Sequence, residues 1–206
     1  KWYHVAAVFD RYGEQSLYLN GIKMASTDIS TASSMSWEAV TTLGVNRANA
    51  SYSRTDICFR ELRVWNVARS TLDIQSNMYT ELDGTEDGLI GYWKFDEHSD
   101  GYIKDYTSNK RHGFLFMYNG SWDYSYDVME MRKSFLAPLK QDCLYFDGND
   151  YVNLGQNSKF VLSEITIDCL VYTELEYPNS TSTPVYRGIV GKAKSGNPGD
   201  IAYVLD

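Results

Sequence analysis

The stretch Ser16-Leu17-Tyr18-Leu19-Asn20-Gly21-Ile22-Lys23-Met24 sets two alternating apolar runs on either side of Asn20-Gly21. Asn-Gly readily takes the two left-handed conformations of a type I′ turn, whose twist matches that of paired strands. The stretch therefore reads as a β-hairpin. Alternation groups Leu17, Leu19, Ile22 and Met24, and that side is expected to be the core face.

Working outward, residues 2–9 (WYHVAAVF) read as a buried strand. Residues 25–36 are rich in Ser and Thr and read as loop, and TTLGV (41–45) and CFRELRVW (58–65) are further strands. The period then changes. Ser70-Thr71-Leu72-Asp73 has the spacing of a capping box, with Asp in place of Glu. Leu72, Ile74 and Met78 follow at helical spacing, which predicts one short helix over 71–79.

Beyond a turn-rich link at 84–88, GLIGYWKF (88–95) and HGFLFMY (112–118) read as strands around a polar stretch at 96–111. Residues 119–142 are irregular and suit a linker. CLYFDGNDYVNL (143–154) reads as a second hairpin, turning around Asp147 to Asp150. EITIDCLVYTE (164–174) alternates strictly, with Ile165, Ile167, Cys169 and Val171 on one face and Thr166, Asp168 and Tyr172 on the other. YRGIVGKA (186–193) and IAYVLD (201–206) are the last strands. Many short strands, frequent turn signals and one helix predict an all-β fold, an antiparallel β-sandwich or jelly roll.

Composition narrows the function classes. Seventeen Tyr, eight Phe and five Trp suit pleated, half-buried surfaces. A net charge of −8 argues against nucleic acid, whose phosphates need clustered Lys and Arg. No apolar run approaches the roughly 20 residues that span a bilayer, so membrane insertion is not expected. Cys58, Cys143 and Cys169 have no metal-ligand spacing; they read as free buried thiols, or as one disulfide with one thiol to spare. The chain opens on Lys1-Trp2-Tyr3-His4, with neither Met nor a signal segment, and reads as an internal segment of a longer polypeptide.

Several stretches carry a family pattern in order. Trp2-Tyr3-His4-Val5-Ala6 with Leu17-Tyr18-Leu19-Asn20-Gly21 is one, and Glu61 to Ser70 followed by Ile74 is another. Gly84 to Trp93 through Asp96-Glu97, then Asp105-Tyr106-Thr107-Ser108-Asn109 with His112-Gly113, continue it, the last with the usual glycine replaced. Leu144 to Val152, Ile165-Thr166-Ile167 and Ile189 to Lys192 complete it. Together they resemble the laminin-G-like, concanavalin A-like lectin/glucanase jelly rolls, relatives of the pentraxins. That family carries the Phe-Asp-Gly hairpin first and the Trp-x-His-Val-Ala strand second; here the order is reversed. The expected organisation is therefore the C-terminal half of one sandwich (1–83), bridging strands and linker (84–142), and the N-terminal half of a second copy (143–206). Alternatively, 143–206 is the other half of the same sandwich, circularly permuted.

The resemblance implies an extracellular or cell-surface protein whose partners are a glycan or an extracellular protein, and neighbouring repeats of a longer chain. A retaining glycosidase needs two carboxylates close together across the sugar bond. Glu164, Asp168 and Glu174 come nearest, but Glu174 lies at the strand end and the group reads as a solvated face. His4 reads as a packed or hydrogen-bonded strand residue, and His98 and His112 have no partner nucleophile at recognisable spacing. Gly191-Lys192 lacks the preceding glycine of a phosphate loop. No catalytic residue is expected.

Two candidate sites remain. Tyr118, Trp122, Tyr124 and Tyr126 form a polar-aromatic cluster on which a sugar could stack, or with which the linker could pack onto the sandwich. Calcium takes about six to eight oxygen ligands. Domains of the resembled family often hold it, which implies Asp105, Asp147, Asn149 and Asp150 as ligands, with Ser108 and Asn109 nearby; the same residues are also ordinary turn formers. Asn49, Asn119 and Asn179 fit the N-glycosylation pattern. Three functions follow: a non-catalytic binding or adhesion module, a structural repeat of an extracellular filament, coat or matrix, or an accessory domain of a glycoside hydrolase.

Overall fold

The computed structural model describes residues 1–31, 40–43, 45–46, 53–54, 56–96, 102–117, 144–147, 150–156, 162–172, 190–193 and 201–205. In chain order these form β1 (Trp2–Asp10), β2 (Glu14–Leu19), β3 (Ile22–Asp28), β4 (Val40–Leu43), β5 (Val45–Asn46), β6 (Ser53–Arg54) and β7 (Asp56–Trp65). Helix α1 (Thr71–Asn77) follows, then β8 (Leu89–Trp93), β9 (Tyr102–Ile103), β10 (Gly113–Met117) and β11 (Leu144–Asp147). The last strands are β12 (Asp150–Gln156), β13 (Glu164–Tyr172), β14 (Val190–Ala193) and β15 (Ile201–Leu205).

Two antiparallel sheets face each other. The first runs β11-β7-β13-β1-β2-β3, with β8 also on β7; the second runs β15-β14-β4-β12-β10-β9. A small β5-β6 pair stands apart. Residues 1–83 and 143–206, read as halves of two copies, contribute interleaved strands to both sheets. β13 lies between β1 and β7, and β4 lies between β12 and β14. The bridging segment supplies β8 to the first sheet and β9 and β10 to the second.

The main core forms where the sheets meet. Phe59, Leu62 and Val64 of β7, Trp93 of β8 and Ile165, Ile167, Cys169 and Val171 of β13 face Leu43, Ile103, Val152 and Leu154 of the second sheet. Burying each large apolar side chain contributes about 1.5–3 kcal/mol. Gly91 is needed here, because a Cβ on it would lie 2.4 Å from the Trp93 ring.

The outer side of the first sheet is covered too. Ser70 caps α1 with its hydroxyl on the Asp73 N–H, and the Asp73 carboxylate accepts from the Ser70 N–H, as the spacing predicts. The helix lays Ile74 on Ala6, Val8 and Tyr18. The adjoining 82–89 segment lays Leu82 and Leu89 against Trp65 and Tyr92.

This cover overturns two expectations, and two more fall at Leu72 and at β11 and β12. The Asn20-Gly21 turn forms with positive φ at both residues, 49° and 74°. Its faces differ from the reading, however: Ser16 and Tyr18 are buried, while Leu17, Ile22 and Met24 are exposed. The reason is that α1 covers the Tyr18 side of β2, and β2 and β3 lie at the sheet margin. Met24 also falls where the β2–β3 register shifts, outside the simple alternation.

On β13, Thr166 and Asp168 are buried rather than solvated, because β13 is central and its outer face lies under this cover. Leu72 of the helix is exposed. Finally, β11 and β12 do not form a hairpin. β11 pairs with β7 in the first sheet and β12 with β10 and β4 in the second, so the connection crosses the sandwich. Among the described residues no helix is long and apolar enough to cross a membrane.

Candidate functional site

A bulge in β7 creates the most polar place in the described interior. Glu61 has φ of 53°, and the β7–β13 register shifts beside it. A bulge adds a residue to one strand and re-aims its side chains. Phe59, Leu62 and Val64 therefore all reach the core, while Arg60, Glu61 and Arg63 gather with the groups under α1 and its following turn. All three of these charged residues are buried.

Asp168 sits at the middle of this layer, 3% exposed. Its Oδ2 accepts from Trp65 Nε1 at 2.8 Å. Its Oδ1 lies 3.2 Å from His4 Nε2 and 3.5 Å from Arg63 Nη1. Arg63 also donates to Glu61 at 3.0 Å and to the carbonyls of Asn77 and Thr80 at 2.8 and 2.5 Å, which holds the end of α1 and the turn after it. Glu61 accepts from the Tyr92 hydroxyl at 2.5 Å, and that hydroxyl accepts from the Leu82 N–H at 3.1 Å.

The electrostatics follow from this wiring. Burial pulls the Arg63 guanidinium down, but Asp168 and Glu61 outweigh it and hold the group above its ordinary value. Burial, and then the bond to the Glu61 carboxylate, push the Tyr92 phenol up. Burial, with Asp168 beside it, pushes the Cys169 thiol up.

The neighbouring row of β13 holds the entry to the helix. Thr166 donates to Val67 O at 2.7 Å and accepts from Arg69 N at 3.0 Å; Glu164 accepts from Ala68 N at 3.2 Å. The Arg69 guanidinium stacks 3.9 Å from the centre of the Trp65 ring, a cation–π contact. Two carboxylates of the sequence reading, Glu164 and Asp168, thus lie on one face as expected, but both bond to backbone or buried side chains. Glu174 lies outside the described residues. The sequence reading missed Glu61, Arg63, Trp65 and Tyr92. Their signal is a strand, E-L-R-V-W, that carries charges beside residues of a core strand.

Asp105 is the second polar centre and is fully buried. Its Oδ1 accepts from the N–H groups of Tyr92 and Thr107 at 3.0 and 2.9 Å. Its Oδ2 accepts from the Thr107 hydroxyl and the Arg111 N–H at 3.0 and 2.8 Å. A carboxylate offers about four lone-pair sites, and all are taken. Asp105 therefore fits a turn anchor and does not fit a calcium ligand. Its own N–H donates to His112 Nδ1 at 3.1 Å, which gives that histidine a structural place.

Asn109 donates to Ile90 O at 3.1 Å and Ser108 is exposed. Asp147 and Asp150 belong to the backbones of β11 and β12. Asn149, the aromatic candidates Tyr118, Trp122, Tyr124 and Tyr126, His98 and the three glycosylation patterns lie outside the described residues. Among the described residues no group of three or more His, Cys, Asp and Glu is placed to hold a metal ion. Cys169 is a free, buried thiol, and Cys143 lies outside the described residues.

No curated protein and no solved structure matches the chain. One family model does, over residues 1–75, which carry β1 to β7 and most of α1. That model is a laminin G model described as the concanavalin A-like lectin/glucanases superfamily, and two antiparallel sheets packed face to face with one short helix are the fold that this likeness implies.

Proposed function

We propose that the chain is a non-catalytic binding module of this superfamily that holds a glycan or a neighbouring extracellular protein through loops at one edge of the sandwich. The observation that supports it is the employment of Asp168. A glycosidase acid or nucleophile must reach a sugar in a cleft, with its partner carboxylate about 5 Å away in the retaining case. Asp168 lies instead beneath α1 and its following turn, bonded to Trp65 and facing Arg63 and His4. Glu61, the other buried carboxylate of the layer, is held by Arg63 and Tyr92.

A glycan array read beside a polysaccharide hydrolysis assay tests this. Binding without turnover is expected, reduced at least tenfold by Trp122→Ala, with a chelator arm reporting whether calcium at the 147–150 turn contributes. Hydrolysis that disappears in Asp168→Asn would overturn the reading.

A second reading has its own observation. Every residue of the edge strand β3 is exposed, including Ile22 and Met24 at 63% and 62%. Exposed edges and apolar side chains invite lateral packing. A structural repeat that packs side to side would give concentration-dependent assembly, weakened by Ile22→Lys, and no glycan binding.

A further inference from the structure

The second sheet carries an aromatic cluster on its outer side. Tyr102 of β9 lies opposite Phe114 of β10, and Phe114 lies opposite Asn153 of β12. Ile103 and Val152, one position along in their strands, belong to the core, and a Cβ on Gly113 would meet Val152 and Leu154 there. Alternation therefore turns Tyr102, Phe114 and Asn153 outward. His112, just before β10, joins them. Its ring centre lies 4.7 Å from that of Tyr102, and the Phe114 ring meets Tyr102 edge-on at 6.1 Å. Phe114 is 46% exposed, and Tyr102 and His112 are half-buried. Apolar side chains scattered singly over a surface are ordinary; three rings in contact make a platform.

The polar tips of the cluster are unused. The Asp105 N–H donates to His112 Nδ1 at 3.1 Å, so that nitrogen is the acceptor and the neutral ring carries its hydrogen on Nε2. Among the described residues neither this Nε2 nor the Tyr102 hydroxyl has a hydrogen-bond partner, and neither is one of the buried atoms left without one. The neighbouring cations are engaged elsewhere. Lys104 sets its ammonium over the Tyr106 ring at 4.2 Å, and Arg111 donates to Ile90 O at 2.7 Å.

This chemistry selects a ligand. An anion would want a cation that the cluster does not offer. A wholly apolar partner would cover the Nε2 N–H and the phenol without bonding them, which is costly. A neutral sugar ring satisfies both demands. Its C–H face is apolar and lies well against the negative face of an aromatic ring, while its hydroxyls accept and donate around the rim.

We propose that Tyr102, His112 and Phe114, on the outer face of the second sheet, form a contact site for one neutral sugar ring of a glycan. The proposal rests on the glycan-binding reading above and adds a sheet-face contact to the loops named there. His112 then serves two sides: its Nδ1 holds the Asp105 turn, and its Nε2 N–H donates to a sugar hydroxyl.

Neutral and acidic oligosaccharides are titrated into the full chain by calorimetry, with Phe114→Ala and Tyr102→Phe as variants and Trp122 retained throughout. For a neutral oligosaccharide that binds, Kd should rise about tenfold in Phe114→Ala and about threefold in Tyr102→Phe. Cooperative thermal unfolding shows that each variant folds. In the unsubstituted chain, sugar C–H protons should give nuclear Overhauser contacts to the Phe114 and Tyr102 rings, a readout that a merely structural role would not produce. Neutral oligosaccharide binding with Kd unchanged in both variants would overturn this site and leave the binding-module reading standing. Binding confined to acidic oligosaccharides would do the same. If no oligosaccharide binds, both readings fall.

Discussion

Asp168 is the residue on which the outer layer depends. It faces a guanidinium, an indole N–H and an imidazole from three different positions on β1 and β7. Removing one partner of a buried ion pair costs about 3–5 kcal/mol, because the other charge stays behind unpaired. Arg63 keeps Glu61, so Asp168→Ala should lower the unfolding free energy in urea by the lower part of that range, whereas a loss under ~1 kcal/mol would show the layer to be wet and loosely held.

Cys169, next in sequence but on the core side, is governed by burial. Its thiol is pushed up, so it stays protonated and inert while the chain is folded. An alkylating reagent at mildly alkaline pH should leave Cys169 unmodified until denaturant is added. Modification of the folded chain at the rate of a free thiol would contradict this.

At the scale of elements, α1 is short and depends on its ends. Ser70 and Asp73 close its start, and Arg63 takes carbonyls at its end. The hydroxyl and then the N–H of Ser70 hold the Asp73 carboxyl below its ordinary range. A depressed carboxylate adds stability above its unfolded pKa, and that stability is lost as the pH falls through the folded value. Wild type should exceed Asp73→Asn in melting temperature at neutral pH, and the gap should close as acidification protonates the Asp73 carboxyl of the folded chain. A gap that widens on acidification would contradict the cap.

The strands themselves were legible, because alternation of residues such as Ile165, Ile167, Cys169 and Val171 depends only on the chain. Which face is covered was not. Leu17 and Tyr18 are both apolar, and only the docking of α1 decides that Tyr18 goes inside. The Asp147 to Asp150 stretch reads as a turn in either case. Whether it folds back in one sheet or crosses to the other depends on β7, β10 and β4, which lie far away in sequence. The Asp168 layer was missed for the same reason: charges on a strand read as solvent-facing until something covers them.

At the scale of the whole molecule, the two sheets are built by interleaving. Early and late strands alternate, and the core between them draws on both. Phe59, fully buried between the sheets, should cost about 3–5 kcal/mol when cut to Ala, and the loss should appear equally in probes placed on β1 and on β13. Unequal losses would mean two units that unfold separately.

The pairing of β1 with β13, from Trp2↔Tyr172 to Asp10↔Glu164, is what makes one sandwich of the chain. Native-state hydrogen exchange on the full chain measures it directly, since a central strand exchanges only when the whole unit opens. The amides of Ala6 and Ile167 should be protected to the same free energy, equal to that of global unfolding, and should shift together under denaturant. Protection of one strand while the other exchanges freely would contradict the single interleaved fold.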